Sequence, residues 1–99
     1  QGGDPSGTGM NGPGYWLTEE YNQIYLDQEG LVSMAKSPRG VSGSQFFITL
    51  GPTPWLTGDF TVFGRVVSDM DVVRNIQIRE PGEGQPPAEI MKSVTIVRK

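Results

Sequence analysis

The chain has 99 residues and a net charge of −3, from 11 acids against 8 bases, with 14 glycines, 8 prolines, no cysteine and no histidine. That length suits one small domain spanning 1–99, and the missing residue types exclude a thiolate nucleophile, a disulfide frame, the usual zinc sites and a serine–histidine triad. Scattered arginines on an acidic chain argue against nucleic acid, no run reaches transmembrane length, and 35% hydrophobic residues with many Gly and Pro point to a loop-rich, mostly β protein.

Residues 1–14 read as a glycine-rich loop. Gly7-Thr8-Gly9-Met10-Asn11-Gly12 matches G-x-G-x-x-G, but no apolar strand precedes it and Pro13-Gly14 follows where a helix should open. Tight turns are the stronger reading of these glycines. Residues 15–30 read as a long loop pinned by its aromatics, with Glu19 and Glu20 solvated rather than paired for acid–base work. Leu31–Ala35 is a short predicted strand, and Lys36 to Gly43 a turn-rich loop.

Ser42 to Leu50 is the organising strand. With period 2, Gln45, Phe47 and Thr49 share one face, and Phe46, Ile48 and Leu50 share the other. The second set reads as a core face. The first places a large aromatic between an amide and a hydroxyl, a mixture that suits a shallow binding site or a half-buried strand under a loop. Pro52 to Gly58 is a compact turn with one 3₁₀ turn, tipped by Trp55 and Leu56. Phe60 to Val67 is the longest predicted strand. Ser68 should cap a helix with Asp71 three positions on, and Met70, Val73 and Ile76 should form its core stripe. Glu80–Glu89 is a Pro/Gly loop, and Met91–Arg98 a closing strand.

In order along the chain, Gln1-Gly2-Gly3-Asp4-Pro5, Gly7-Thr8-Gly9, Gly30-Leu31-Val32-Ser33-Met34-Ala35, Gly43-Ser44-Gln45-Phe46-Phe47-Ile48-Thr49, Pro54-Trp55-Leu56 and Thr61-Val62-Phe63-Gly64-Arg65-Val66 carry a resemblance to the cyclophilins, the peptidyl-prolyl cis-trans isomerases. The resemblance implies a mainly β fold, a closed antiparallel barrel with a capping helix, here lacking the family's N-terminal strands and first helix. The chain therefore reads as the C-terminal part of the domain, one that should not fold alone as a stable monomer.

By resemblance, Gln45, Phe47 and Gln1 are the catalytic candidates. Phe47 and Leu56 would line the proline pocket, Gln45 would bond the substrate backbone, and Gln1 would face it. Ala35, Lys36 and Ser37 match the strand whose backbone pairs with the peptide. Trp55 matches the rim tryptophan associated with cyclosporin-type macrocycles, and Phe60 stands at the pocket edge. Neither metal nor cofactor is implied. The expected partners are Pro-containing peptides and unfolded proteins, with no nucleic acid and no membrane. Three departures bear on activity. The family's catalytic arginine would precede Gln1, as would two residues of its pocket floor. Lys36-Ser37 stands for the usual Asn-Ala, and Phe60 for the usual His. Two function classes follow: an isomerase that assists protein folding, or a non-catalytic proline-peptide-binding module or inactive fragment.

Overall fold

A hairpin of β2 (Leu31–Ser37) and β3 (Gly40–Ile48) forms the centre of the computed structural model, which describes residues 1–80 and 84–98. β1 (Trp16–Leu17) flanks β3 and β4 (Val62–Arg65) flanks β2, giving an antiparallel sheet in the order β1-β3-β2-β4. The protein is mainly β, as its composition indicated, and the curled sheet of four strands is consistent with part of a cyclophilin barrel.

The turn between β2 and β3 is tighter than the local residues suggested. Lys36 pairs with Val41 and Ser37 with Gly40, so only Pro38 and Arg39 lie outside the ladder. Proline presets its φ for a turn, the Ser37 hydroxyl accepts the Arg39 N–H at 3.1 Å, and Gly40 takes a φ of 135°. Cross-strand bonding carries both strands into a stretch whose glycines had marked it as loop. The register then jumps. Met34 faces Phe46 and Lys36 faces Val41, which leaves Ala35 without a register partner and Ser42–Gln45 bulged.

The core lies on the face expected to be mixed. Leu26, Leu31 and Val62 are its buried apolar residues, and Phe47, Leu56 and Phe60 pack against them. Ser33, Gln45 and Thr49 are buried on this face as well. Phe46 and Ile48 are only half-buried and Leu50 is 62% exposed, contrary to their reading as a core face. The cause is the connection before β2. It folds back over the Gln45–Phe47–Thr49 face and drops Leu26, fully buried, onto it. Polar bonds fasten that connection. The Asn22 amide donates to the Val62 carbonyl at 2.8 Å, Leu26 N–H to the Thr57 hydroxyl at 3.1 Å, and Thr53 N–H to the Leu26 carbonyl at 2.7 Å. Its tyrosines, expected to be the pins, are exposed at positions 15, 21 and 25.

β4 is shorter than predicted and β3, at 9 residues, is the longest strand. Phe60 is held in a turn because its N–H donates to the Leu56 carbonyl at 3.1 Å. The 3₁₀ turn at Pro54–Leu56 forms as read. The helix α1 runs only from Met70 to Arg74, and the Ser68–Asp71 cap does not form. Asp69 occupies the cap position at φ 59° without a side-chain bond. Met70 and Val73 are half-buried, and Ile76 is exposed rather than core. The predicted strand at 91–98 pairs with nothing among the described residues, and its Val94, Ile96 and Val97 are exposed. A strand exists only with a partner, so alternation alone does not produce one. In the predicted 80–89 loop, residues 81–83 lie outside the described residues.

Candidate functional site

Gln1 and Gln45 come together because an isolated bridge joins Gly2 to Phe46, with N–H···O bonds of 2.9 Å in both directions. Gly3 passes so close that a Cβ there would lie 2.0 Å from the Ser44 carbonyl oxygen, at a φ of 100°. Only glycine permits this approach. The Gln1 amide Nε2 donates to Gln45 Oε1 at 2.8 Å. Gln45 Nε2 in turn donates to the Gly9 carbonyl at 3.1 Å and the Asn11 carbonyl at 2.7 Å. Its own N–H donates to the Ser42 hydroxyl at 2.8 Å. The buried Gln45 amide therefore ties the glycine loop to β3, and both of its N–H groups are engaged within the protein. A peptide carbonyl would have to displace one of them.

The glycine loop has its own hub. The Asp4 carboxylate accepts bonds from Ser6 N–H and hydroxyl, Thr8 N–H and hydroxyl, Gly9 N–H and Asn11 N–H, at 2.7 to 3.2 Å. Desolvation alone would raise its pKa. The Ser6 N–H and hydroxyl, then Asn11 N–H and the Thr8 hydroxyl, outweigh it and hold the carboxyl well below the usual carboxylate range. Gly7 and Gly9 take positive φ here, as the turn reading required. The hub itself went unread, although Asp-Pro-Ser-x-Thr is a sequence in which an aspartate caps its own turn.

Two residues along the same face of β3, Phe47 meets Phe60 edge to face, with centroids 5.3 Å apart and planes at 88°. Leu56 joins them over Leu26, Leu31 and Val62. Lys36 Nζ lies 5.2 Å from the Phe60 ring centre and 3.0 Å from Glu19 Oε1. Two of the departures from the family pattern, Lys36 and Phe60, thus face each other. Glu19 is not simply solvated. The Lys36 hydrogen bond, aided by the Tyr21 hydroxyl, lowers its pKa, and Glu19 raises that of Tyr21. Trp55 is 71% exposed on the 3₁₀ turn. Ala35 sits at the register jump, without a register partner on β3, while the Ser37 hydroxyl serves the hairpin turn. The fold thus forms a polar group of Gln1 and Gln45, an apolar group of Phe47, Leu56 and Phe60 beside it, and a free-standing Trp55.

A cavity of about 360 Å³ shares Phe60 and Lys36 with this cluster but not Phe47, Leu56 or Gln45; Leu17, Met34, Val41 and Phe63 line its other walls. It lies beside the apolar group rather than in it. A second cavity of about 270 Å³ opens between the glycine loop and the hairpin turn. Among the described residues no group of His, Asp or Glu side chains could hold a metal ion.

A sequence model of the family described as cyclophilin type peptidyl-prolyl cis-trans isomerase/CLD matches residues 1–98. The chain is 40% identical to peptidyl-prolyl cis-trans isomerase ppi1 of Schizosaccharomyces pombe, over 98% of this chain and 65% of that protein. It is 43% identical to peptidyl-prolyl cis-trans isomerase cypE of Dictyostelium discoideum, over 91% of this chain and 60% of that protein. With peptidyl-prolyl cis-trans isomerase B of Streptomyces anulatus it shares 49% identity over 67 residues. The chain spans less than two thirds of the length of these relatives.

Proposed function

Because this chain belongs to the cyclophilin-type peptidyl-prolyl cis-trans isomerase family, we propose that the protein carrying it rotates X-Pro peptide bonds. Amide resonance sets a barrier of about 18–20 kcal/mol to that rotation, and an X-Pro bond turns over in roughly tens to hundreds of seconds unaided. No covalent step is needed. The protein must seat the proline ring, hold the flanking backbone and favour the twisted amide over both planar forms.

One observation carries this reading. The edge-to-face pair of Phe47 and Phe60, with Leu56, stands beside the buried Gln45 amide on one strand face. An apolar wall of that size suits a proline ring, and a neighbouring amide suits a peptide carbonyl. Gln45 and Gln1 act on the backbone by exchanging one internal hydrogen bond for one to the peptide. β4 pairs with β2 only over Leu31–Ser33, so the side of β2 away from β3 carries no strand at Ala35, Lys36 and Ser37 among the described residues and offers a ladder edge to the extended substrate. Trp55, exposed beside Leu56, forms the rim and the contact for cyclosporin-type macrocycles. Substrates are Pro-containing peptides and unfolded chains, which ties the activity to protein folding.

A second reading has its own support. Arg74 is bound to Glu29 and Asp71, Arg79 donates to the Pro86 carbonyl, and Arg39 lines the second cavity. These arginines are not placed as a cationic donor to the twisted prolyl nitrogen, and an apolar seat beside an amide suits proline-peptide binding without rotation. A protease-coupled isomerisation assay, run on the full-length protein and on this chain, separates the two. Acceleration by the full-length protein supports the isomerase. Saturable peptide binding without acceleration in either supports the binding module.

A further inference from the structure

The cavity of about 270 Å³ between the glycine loop and the β2–β3 turn is lined by Asn11, Gly12, Tyr15, Trp16, Arg39 and Ser42, among others. It adjoins the candidate site directly, because the Asn11 carbonyl accepts from the Gln45 amide. Its polar character is one-sided. The Arg39 guanidinium forms no ion pair or side-chain hydrogen bond among the described residues, and no carboxylate lines the cavity with it. The Ser42 hydroxyl oxygen already accepts from Ser44 N–H and Gln45 N–H, so its proton remains to be donated. The buried Ser44 hydroxyl has no partner among the described residues. It sits behind Gly12, where an added Cβ would come within 3.7 Å of it. The Asn11 and Gly9 carbonyls both accept from the Gln45 amide.

We propose that this cavity selects substrates by taking an oxyanion, a carboxylate or phosphate, carried on a side chain near the proline, with Arg39 as the specificity-determining residue. The proposal rests on the peptide-isomerase reading and adds a substrate class to it. A guanidinium fork matches both oxyanions, and the Ser42 hydroxyl supplies a further donor from the cavity wall. Tyr15 and Trp16 give the intervening backbone an aromatic face. An extended peptide advances about 3.3 Å per residue, so a side chain two or three positions from a proline held near Gln45 and Phe47 stands about 7–10 Å away, a reach that suits a cavity adjoining Gln45 through Asn11.

The test uses the full-length protein and Pro peptides bearing Ala, Glu, phosphoserine or Lys two and three positions to either side of the proline. The expected result is a kcat/KM about 3–10-fold higher for Glu over Lys at one of these positions, decreasing with added salt. The phosphoserine arm tells a phosphate preference from a carboxylate one. Arg39→Gln should bring the Glu-to-Lys ratio to about one, and Arg39→Glu should invert it, a sign change that a merely misfolded variant would not produce. Turnover of the Ala peptide with equal rates for Glu and Lys overturns this inference and leaves the isomerase reading standing. Absence of turnover for every peptide overturns both.

Discussion

The glycine loop of residues 1–14 and the apolar cluster under Phe47 lie on either side of Gln45, and they are held by opposite means. The loop is organised around one carboxylate, Asp4, and is attached to the sheet through the Gln45 amide and the Gly2–Phe46 bridge. The cluster is organised around Leu26 and has no charge inside it. Hydrogen bonds are directional and short-ranged, so the loop's geometry depends on a few atoms. Apolar packing is non-directional and scales with buried area, so the cluster's geometry depends on volume. The site proposed across the two would draw its peptide-bonding groups from the first and its seat from the second.

Substitutions break this comparison at different strengths. Leu26→Ala should have the largest effect on stability, about 2–5 kcal/mol, because the side chain is fully buried and the fold-back connection has no other apolar anchor in the core. A denaturant melt of the full-length protein would read it, with the loop 1–14 unaffected until global unfolding. Phe47→Ala should cost about 2–3 kcal/mol, less than for a fully enclosed ring because Phe47 is half-buried. It should also abolish the seat, so peptide affinity measured by titration should fall further than the loss in stability accounts for.

Gln45→Ala tests the join between the regions. It leaves the Gly9 and Asn11 carbonyls without their shared donor, at a cost of about 1–3 kcal/mol. Amide exchange should speed up in residues 9–12 while the β2–β4 ladder keeps its protection. Uniform acceleration across both regions would show that Gln45 supports the core rather than the loop.

The smallest effect concerns pH and confines itself to the loop. Asp4 has a depressed folded-state pKa, so its contribution is complete above the unfolded value of 3.8 and is lost as pH falls through the lower folded value. The amide signals of Ser6, Gly9 and Asn11 should therefore persist at about pH 3, where an unconstrained aspartate is mostly protonated. Their loss near the ordinary carboxylate range would contradict the hub. Asp4→Asn should remove this resistance without altering the Phe47–Phe60 contact.

Much of the loop and turn chemistry was legible in the residues, because it is local. The glycines that take positive φ, the Pro54–Leu56 turn and the face shared by Gln45 and Phe47 all follow from neighbours a few positions apart. The family motifs likewise pointed to Gln1, Gln45, Phe47, Leu56 and Phe60 as one site, and the fold brings the first two into direct contact. What the chain order did not reveal was which face of β3 would be covered. Period 2 separates two faces but does not name the inner one, and Phe46, Ile48 and Leu50 had the more apolar pattern.

That choice was made by contacts far apart in sequence. Leu26 reaches the sheet through Thr53 and Thr57, and Asn22 reaches Val62. The same holds for the Glu19–Lys36 pair, the bulge at Ser42–Gln45 and, among the described residues, the absence of a ladder at 91–98. The sequence by itself determined the β character, the Pro54–Leu56 turn and the residue types of the candidate site, since backbone preference and side-chain chemistry belong to single residues and their neighbours. Only the tertiary structure decided the covered face, the engagement of both Gln45 donors and the length of each strand, because burial and pairing are properties of two segments at once.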